Sequence, residues 1–189
     1  MPTAQPISPE PLRRHRLSVE DYYKMGEAGI FKEKDRVELI EGEVIDMVPI
    51  GSQHAYTLNK LNRIFSKQTA DEILVRIQDP LRLDHYNEPE PDFVLVANNN
   101  YSTHHPGPAD TLLVIEVADS SLTYDINIKT PLYALHNIPE VWVINLIDKK
   151  IHVFENPTNG KYQKIKEVIT GKLSPARITG LIIDLENLW

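Results

Sequence analysis

The chain has 189 residues, 41% hydrophobic and 25% charged, enough for one domain with a proper core and too few for two comfortable ones. It contains no cysteine, which excludes disulfides, thiolate metal sites and cysteine nucleophiles. The formal net charge of −7 counts against broad non-specific binding to nucleic acid, which depends on Lys and Arg contacts to phosphates, although metal-binding acids would themselves add negative charge. Apolar runs such as Thr111–Ala118 are far too short to span a bilayer, and Met1–Arg16 lacks the apolar core of a secretion signal. A cytoplasmic protein that does not engage a membrane is expected.

Taken in chain order, Met1–Arg16 carries four prolines and a basic end, Arg13, Arg14, His15 and Arg16, and reads as a flexible tail ahead of a single domain over residues 17–189. Ser18 followed by Asp21 is a capping-box signal that opens a short helix through about Ala28. Within Val37–Met47, Glu41-Gly42 separates two β-prone stretches, which predicts a hairpin. Ser52 is placed to cap a second helix with Ala55, Leu58, Leu61 and Ile64-Phe65 on one stripe. Ile73–Leu83 is β-rich but interrupted at Asp79-Pro80, predicting two short strands or a bulge. Phe93–Ala97 and Leu112–Ala118 are nearly continuous apolar runs, as strands buried on both faces should be, joined by a polar loop over Asn98–Asp110. A helix is expected after Thr130 with Pro131 at its first position. Val141–Leu146 and Lys150–Glu155 form a strand pair, and the apolar Leu181–Leu185 packs back on the core. The order of elements predicts an α/β (α+β) fold, a mixed sheet flanked by helices, with antiparallel neighbours at its centre.

Glu116 is the most informative residue. It sits within Leu112-Leu113-Val114-Ile115-Glu116-Val117-Ala118, where a bare carboxylate is costly to bury and needs a cation, a network or a metal. Asp92, in Glu90-Pro91-Asp92-Phe93-Val94, opens the preceding strand. If the two strands pair antiparallel, Asp92 and Glu116 become neighbours and make a site for a hard cation such as Mg²⁺ or Mn²⁺. Read singly, Asp92 could be a turn residue and Glu116 the partner of a core Arg or Lys.

The run Arg36-Val37-Glu38-Leu39-Ile40-Glu41-Gly42-Glu43, then His54, Pro91-Asp92, Ile115-Glu116-Val117, Asp125, Lys129, Tyr133-Ala134 and Ile138-Pro139-Glu140-Val141-Trp142, resembles the bacterial "putative restriction endonuclease" family of the PD-(D/E)XK nuclease superfamily. The resemblance covers roughly Leu17 to Trp189 and implies the restriction endonuclease-like core, with a divalent metal held by the Asp and the Glu. It implies metal-assisted hydrolysis of phosphodiester bonds in nucleic acid, DNA above all, with Asp92, Glu116 and the carbonyl of Val117 around the metal. The superfamily places a Lys two residues after the Glu, where this chain has Ala118; the family resembled points to Lys129 instead. An Asp125–Lys129 pair would follow if that stretch is helical. Glu38 could stand in for the acid that superfamily members carry on their first helix, and His54 and Gln78 could line the same cleft. Two rival readings remain open. One is a protein of this fold that binds nucleic acid or a protein without cutting. The other is a structural protein, a homodimer through its N-terminal elements, with the acids merely ion-paired.

Overall fold

The computed structural model describes residues 14–189. Helix α1 (Val19–Glu27) opens on the capping box, Ser18 accepting from the Asp21 amide while the Asp21 carboxylate accepts from the Ser18 amide and hydroxyl. Strands β1 (Val37–Ile40) and β2 (Glu43–Asp46) form the hairpin, with Glu41 and Gly42 both at positive φ (52° and 76°), the geometry of a tight two-residue turn. Gly42 is required twice over, because a Cβ there would lie 2.7 Å from the Cβ of Arg16.

That contact bears on the expected tail. Arg13 and everything before it lie outside the described residues. Arg14 and Arg16, by contrast, are held on the hairpin: Arg14 pairs with Glu43, Arg16 donates to the Glu41 carbonyl and lies over the Tyr86 ring, and the Leu17 amide donates to the Gly42 carbonyl.

Helix α2 (Ser52–Gln68) begins one residue earlier than its sequence suggests. Gly51, in extended geometry, is the N-cap and makes no side-chain cap bond, so Ser52 is the first helical residue rather than the cap. The predicted apolar stripe is real: Leu58, Leu61 and Phe65 are buried. A six-stranded mixed sheet follows, in the order β3 (Ile73–Ile77), β4 (Phe93–Ala97), β5 (Thr111–Ala118), β6 (Glu140–Asn145), β7 (Lys150–Thr158), β8 (Lys161–Val168). Only β5 and β6 pair in parallel. The segment Ile73–Leu83 yields one strand, because the chain leaves β3 at Gln78, which takes a positive φ of 52° just before Asp79-Pro80.

The β5-to-β6 crossover differs from the simple helix expected after Thr130. It runs as a helical segment from α3 (Leu122–Tyr124) through a π-helical turn (Asp125–Lys129) into α4 (Thr130–Leu135). Pro131 stands at the start of α4 as expected, but α4 continues a longer helical segment. Having no amide to give, Pro131 cannot continue the regular ladder. The turn before it widens: both the amide and the hydroxyl of Thr130 bond to the Asp125 carbonyl.

The sheet carries a core on each face. Phe93, Leu95, Leu113, Ile115 and Val117 face α2 and the C-terminal segment, where Leu181, Ile183 and Leu185 pack back with short strands β9 (Lys172–Leu173) and β10 (Ile183–Asp184) beside them. Val94, Val96, Val114 and Ala118 face α4, with Leu132, Tyr133 and Ala134. Among the described residues, no helix is long and apolar enough to cross a membrane.

Candidate active site

The alternation of β5 decides where Glu116 points. Val114 and Ala118 belong to the core on the α4 side, and a strand turns every second side chain to the same face. Glu116 therefore faces α4 and is 2% exposed. β4 and β5 pair antiparallel with Phe93 opposite Ile115, so Asp92, one residue before β4, stands opposite Glu116 on that same face. The Asp92 amide lies 3.4 Å from Glu116 Oε2, and Asp92 Oδ2 accepts from the Val117 amide at 2.8 Å. The expected adjacency of Asp92 and Glu116 is present.

Other elements close over this corner of the sheet. From α2, His54 Nε2 lies 3.0 Å from Asp92 Oδ2, while its Nδ1 is buried without a hydrogen-bond partner. From the turn after β3, the Gln78 amide side chain donates to Asp92 Oδ1 at 3.1 Å, aimed there by its left-handed backbone. From β1, Glu38 is buried and its Oε2 accepts from the Glu90 amide at 3.1 Å. From the π turn, Lys129 points inward, its Nζ 3.0 Å from Glu38 Oε2 and 3.2 Å from Glu116 Oε1. Asp125 does not pair with Lys129 as its spacing suggested; in the widened turn its carboxylate accepts from the Ser121 hydroxyl at 2.6 Å. All these side chains line one pocket of about 360 Å³, together with Val117.

Some members were not foreseen as site residues. The Tyr133 hydroxyl donates to Glu116 Oε1 at 2.6 Å. It lies four residues after Lys129, so helical periodicity could have placed it on the same face. Glu90, Tyr124 and Ser121 line the pocket itself, which Tyr133 does not, and their sequence surroundings carry no comparable signal.

The electrostatics are unbalanced. Four carboxyl groups, of Glu38, Asp92, Glu116 and Asp125, are buried around a single buried ammonium, that of Lys129. Burial pushes Glu116 up to about 8, against the opposing pull of Lys129 and the Tyr133 hydroxyl. Burial likewise raises Asp125, against Lys129 and Ser121. Burial alone would lower Lys129, but the carboxylates of Glu116, Glu38 and Asp125 together hold it above its ordinary range, so it stays charged. One positive charge cannot neutralise both acids it touches, and Glu116 is the one left short.

Among the described residues, no three His, Asp or Glu side chains form a ready-made metal cage. A hard divalent cation does not need one. Mg²⁺ is commonly held by one or two carboxylates, its other positions filled by water and substrate phosphate. The donors at this corner fit that habit. Asp92 and Glu116 share one face, and the Val117 amide points toward Asp92, so its carbonyl, on the same side of an extended strand, lies beyond the start of β4.

Comparison with known proteins identifies the fold and the family. No curated protein matches the chain. Among solved structures, a putative nuclease of DUF820 from Anabaena variabilis ATCC 29413 superposes with a TM-score of 0.70 at 12% identity, covering 91% of this chain and 97% of that one, which establishes a shared fold. The sequence model of the Uma2 family, described as "Putative restriction endonuclease", matches residues 19–185, and the chain belongs to that family.

Proposed function

We propose that the protein is a divalent-metal-dependent endonuclease that hydrolyses phosphodiester bonds of nucleic acid, DNA in the first instance. The observation that carries this reading is the excess of buried carboxyl groups over buried cations at a pocket on the sheet's corner. Burying acids without compensation is expensive, and such an arrangement suits a site whose remaining charge comes from a bound cation.

Asp92 and Glu116 would hold the ion, with the Val117 carbonyl as a third donor. When bound, the ion supplies a water acidified enough to act as nucleophile and positive charge against the scissile phosphate. Gln78 and His54 fix both oxygens of Asp92 and keep that carboxylate turned toward Val117. Tyr133 and Lys129 fix Glu116 Oε1, leaving Oε2 on the Asp92 side. Glu38 anchors the Lys129 ammonium from the opposite wall, so the cation stays beside the acids. Its charge is held where negative charge would develop during attack on a phosphate.

The test is cleavage of duplex DNA, single-stranded DNA and RNA with Mg²⁺ or Mn²⁺, comparing the native protein with Asp92→Ala. Metal-dependent cleavage by the native protein that Asp92→Ala lacks is the expected result. Cleavage that survives Asp92→Ala places the chemistry elsewhere. No cleavage, with an Asp92-dependent metal response intact, leaves a binding protein of the same fold.

A further inference from the structure

The acids of this chain are spread along nearly its whole length, with one gap. From Met47 to Ala70 there is no Asp or Glu, the longest such stretch in a chain with 27 of them, and it contains Lys60, Arg63 and Lys67. The fold gives this gap a position. Its first part, Met47 to Gly51, lines the mouth of the acidic pocket, and its remainder is α2, whose His54 reaches Asp92. The gap thus starts at the candidate active site and leads away from it.

Within α2 the cations are ordered. Leu58, Leu61 and Phe65 face the sheet. Tyr56, Lys60, Arg63 and Lys67 recur at spacings of four, three and four residues, which at 100° per residue confines them to one narrow stripe on the opposite face. Tyr56 is 59% exposed, and the Lys60 ammonium lies 5.3 Å from its ring centroid. From Tyr56 to Lys67 the stripe is about 16 Å long, at ~1.5 Å per residue. Among the described residues, none of its three cations stands in an ion pair, whereas Lys150, Lys164 and Lys166 on β7 and β8 are each paired with Glu167 or Glu155. A purely solvated helix in so acidic a chain would be expected to interleave acids with these bases. Beside the mouth, Val48 and Ile50 are also largely exposed.

We propose that the outer face of α2 is the track on which a nucleic-acid backbone lies as it approaches the pocket, with Lys60, Arg63 and Lys67 meeting phosphates and Tyr56 offering an aromatic face nearest the mouth. The inference rests on the nuclease reading for the class of ligand. It accounts for how a chain of net charge −7 can hold a polyanion: the positive field is local, and it is placed beside the site instead of spread over the surface.

The experiment measures binding apart from cleavage. Fluorescence anisotropy of a short labelled DNA duplex and of one of its strands is recorded in EDTA, over a range of salt, for the native protein and for the triple variant K60Q/R63Q/K67Q. A control variant, K149Q/K161Q/K172Q, removes the same charge from exposed lysines elsewhere. The α2 variant should bind on the order of 10-fold or more weakly, and the slope of log Kd against log salt should fall by close to 0.9 for each lost cation on duplex. The control variant should behave as the native protein. Native-like affinity and salt slope in the α2 variant, equal loss in both variants, or no measurable binding by the native protein each overturns the proposal. Failure of the nuclease reading looks different: the native protein then binds DNA through α2 and hydrolyses no phosphodiester, including bis(p-nitrophenyl) phosphate, with Mg²⁺ or Mn²⁺.

Discussion

Replacing Lys129 with Met tests the electrostatics of the site more sharply than any change to the acids. Met retains most of the buried volume and removes the ammonium that lies 3.0 Å from Glu38 and 3.2 Å from Glu116. Breaking a buried ion pair by deleting one partner costs about 3–5 kcal/mol, because the other charge stays behind. Two acids are left here, but Glu116, pushed up to about 8 by burial, is largely protonated at neutral pH and adds little to the penalty. The loss is then chiefly that of the contact between Lys129 and Glu38, one pair instead of two, which points to the lower end, about 3 kcal/mol. For a chain of this size, each kcal/mol shifts the melting temperature by about 2–4 °C, so K129M should melt roughly 6–12 °C lower at pH 7. Chemical denaturation measured in parallel should show a lower midpoint with an unchanged slope. Raising the pH through about 8 should widen the gap, as Glu116 loses its proton with no ammonium beside it. An equally stable variant, or a gap that widens in acid, would show that Lys129 does not neutralise these acids and would remove the cation from the proposed mechanism.

Other consequences are open to measurement. Because Glu116 is raised in the folded protein, it holds more protons there than in the unfolded chain, so its contribution to metal-free stability is present below about pH 4.5 and is lost as pH rises through about 8. Mn²⁺ needs the ionised ligand, so its affinity by calorimetry should climb over the same upper range with release of a proton; a pH-independent affinity would take Glu116 out of the ligand set. Tyr133→Phe deletes the 2.6 Å donor to Glu116 and should cost about 1–3 kcal/mol in denaturant, with no cost expected if that hydroxyl were idle. His54→Ala should leave the fold intact and weaken Mn²⁺ binding about 10–100-fold, as loss of a residue that orients a ligand does; unchanged affinity would reduce His54 to a packing residue.

How far the site was legible in the sequence depends on the range of the forces involved. Asp92 and Glu116 could be placed because strand alternation and antiparallel pairing are local rules: once Phe93–Ala97 and Thr111–Ala118 are strands joined by a loop, the register that buries both apolar runs also aligns the acids. Glu38 was harder, since nothing within the hairpin says that one of its acids turns inward. The surface that buries it belongs to Glu90 and to Lys129, far along the chain. Lys129 was the hardest, and Pro131 is the reason. A regular helix invites an Asp125–Lys129 pair at i,i+4, which does not form; the helix expected after Thr130 is present as α4, but it runs on from a π turn. Widening the turn to fit a residue with no amide changes the angular offset between Asp125 and Lys129, and the ammonium goes to Glu38 and Glu116 instead. The missing in-line lysine at Ala118 and the proline two residues after Lys129 are thus linked. On this argument a strand position that would carry the cation is free to be a small core residue, because a distorted helix turn delivers the charge from across the pocket.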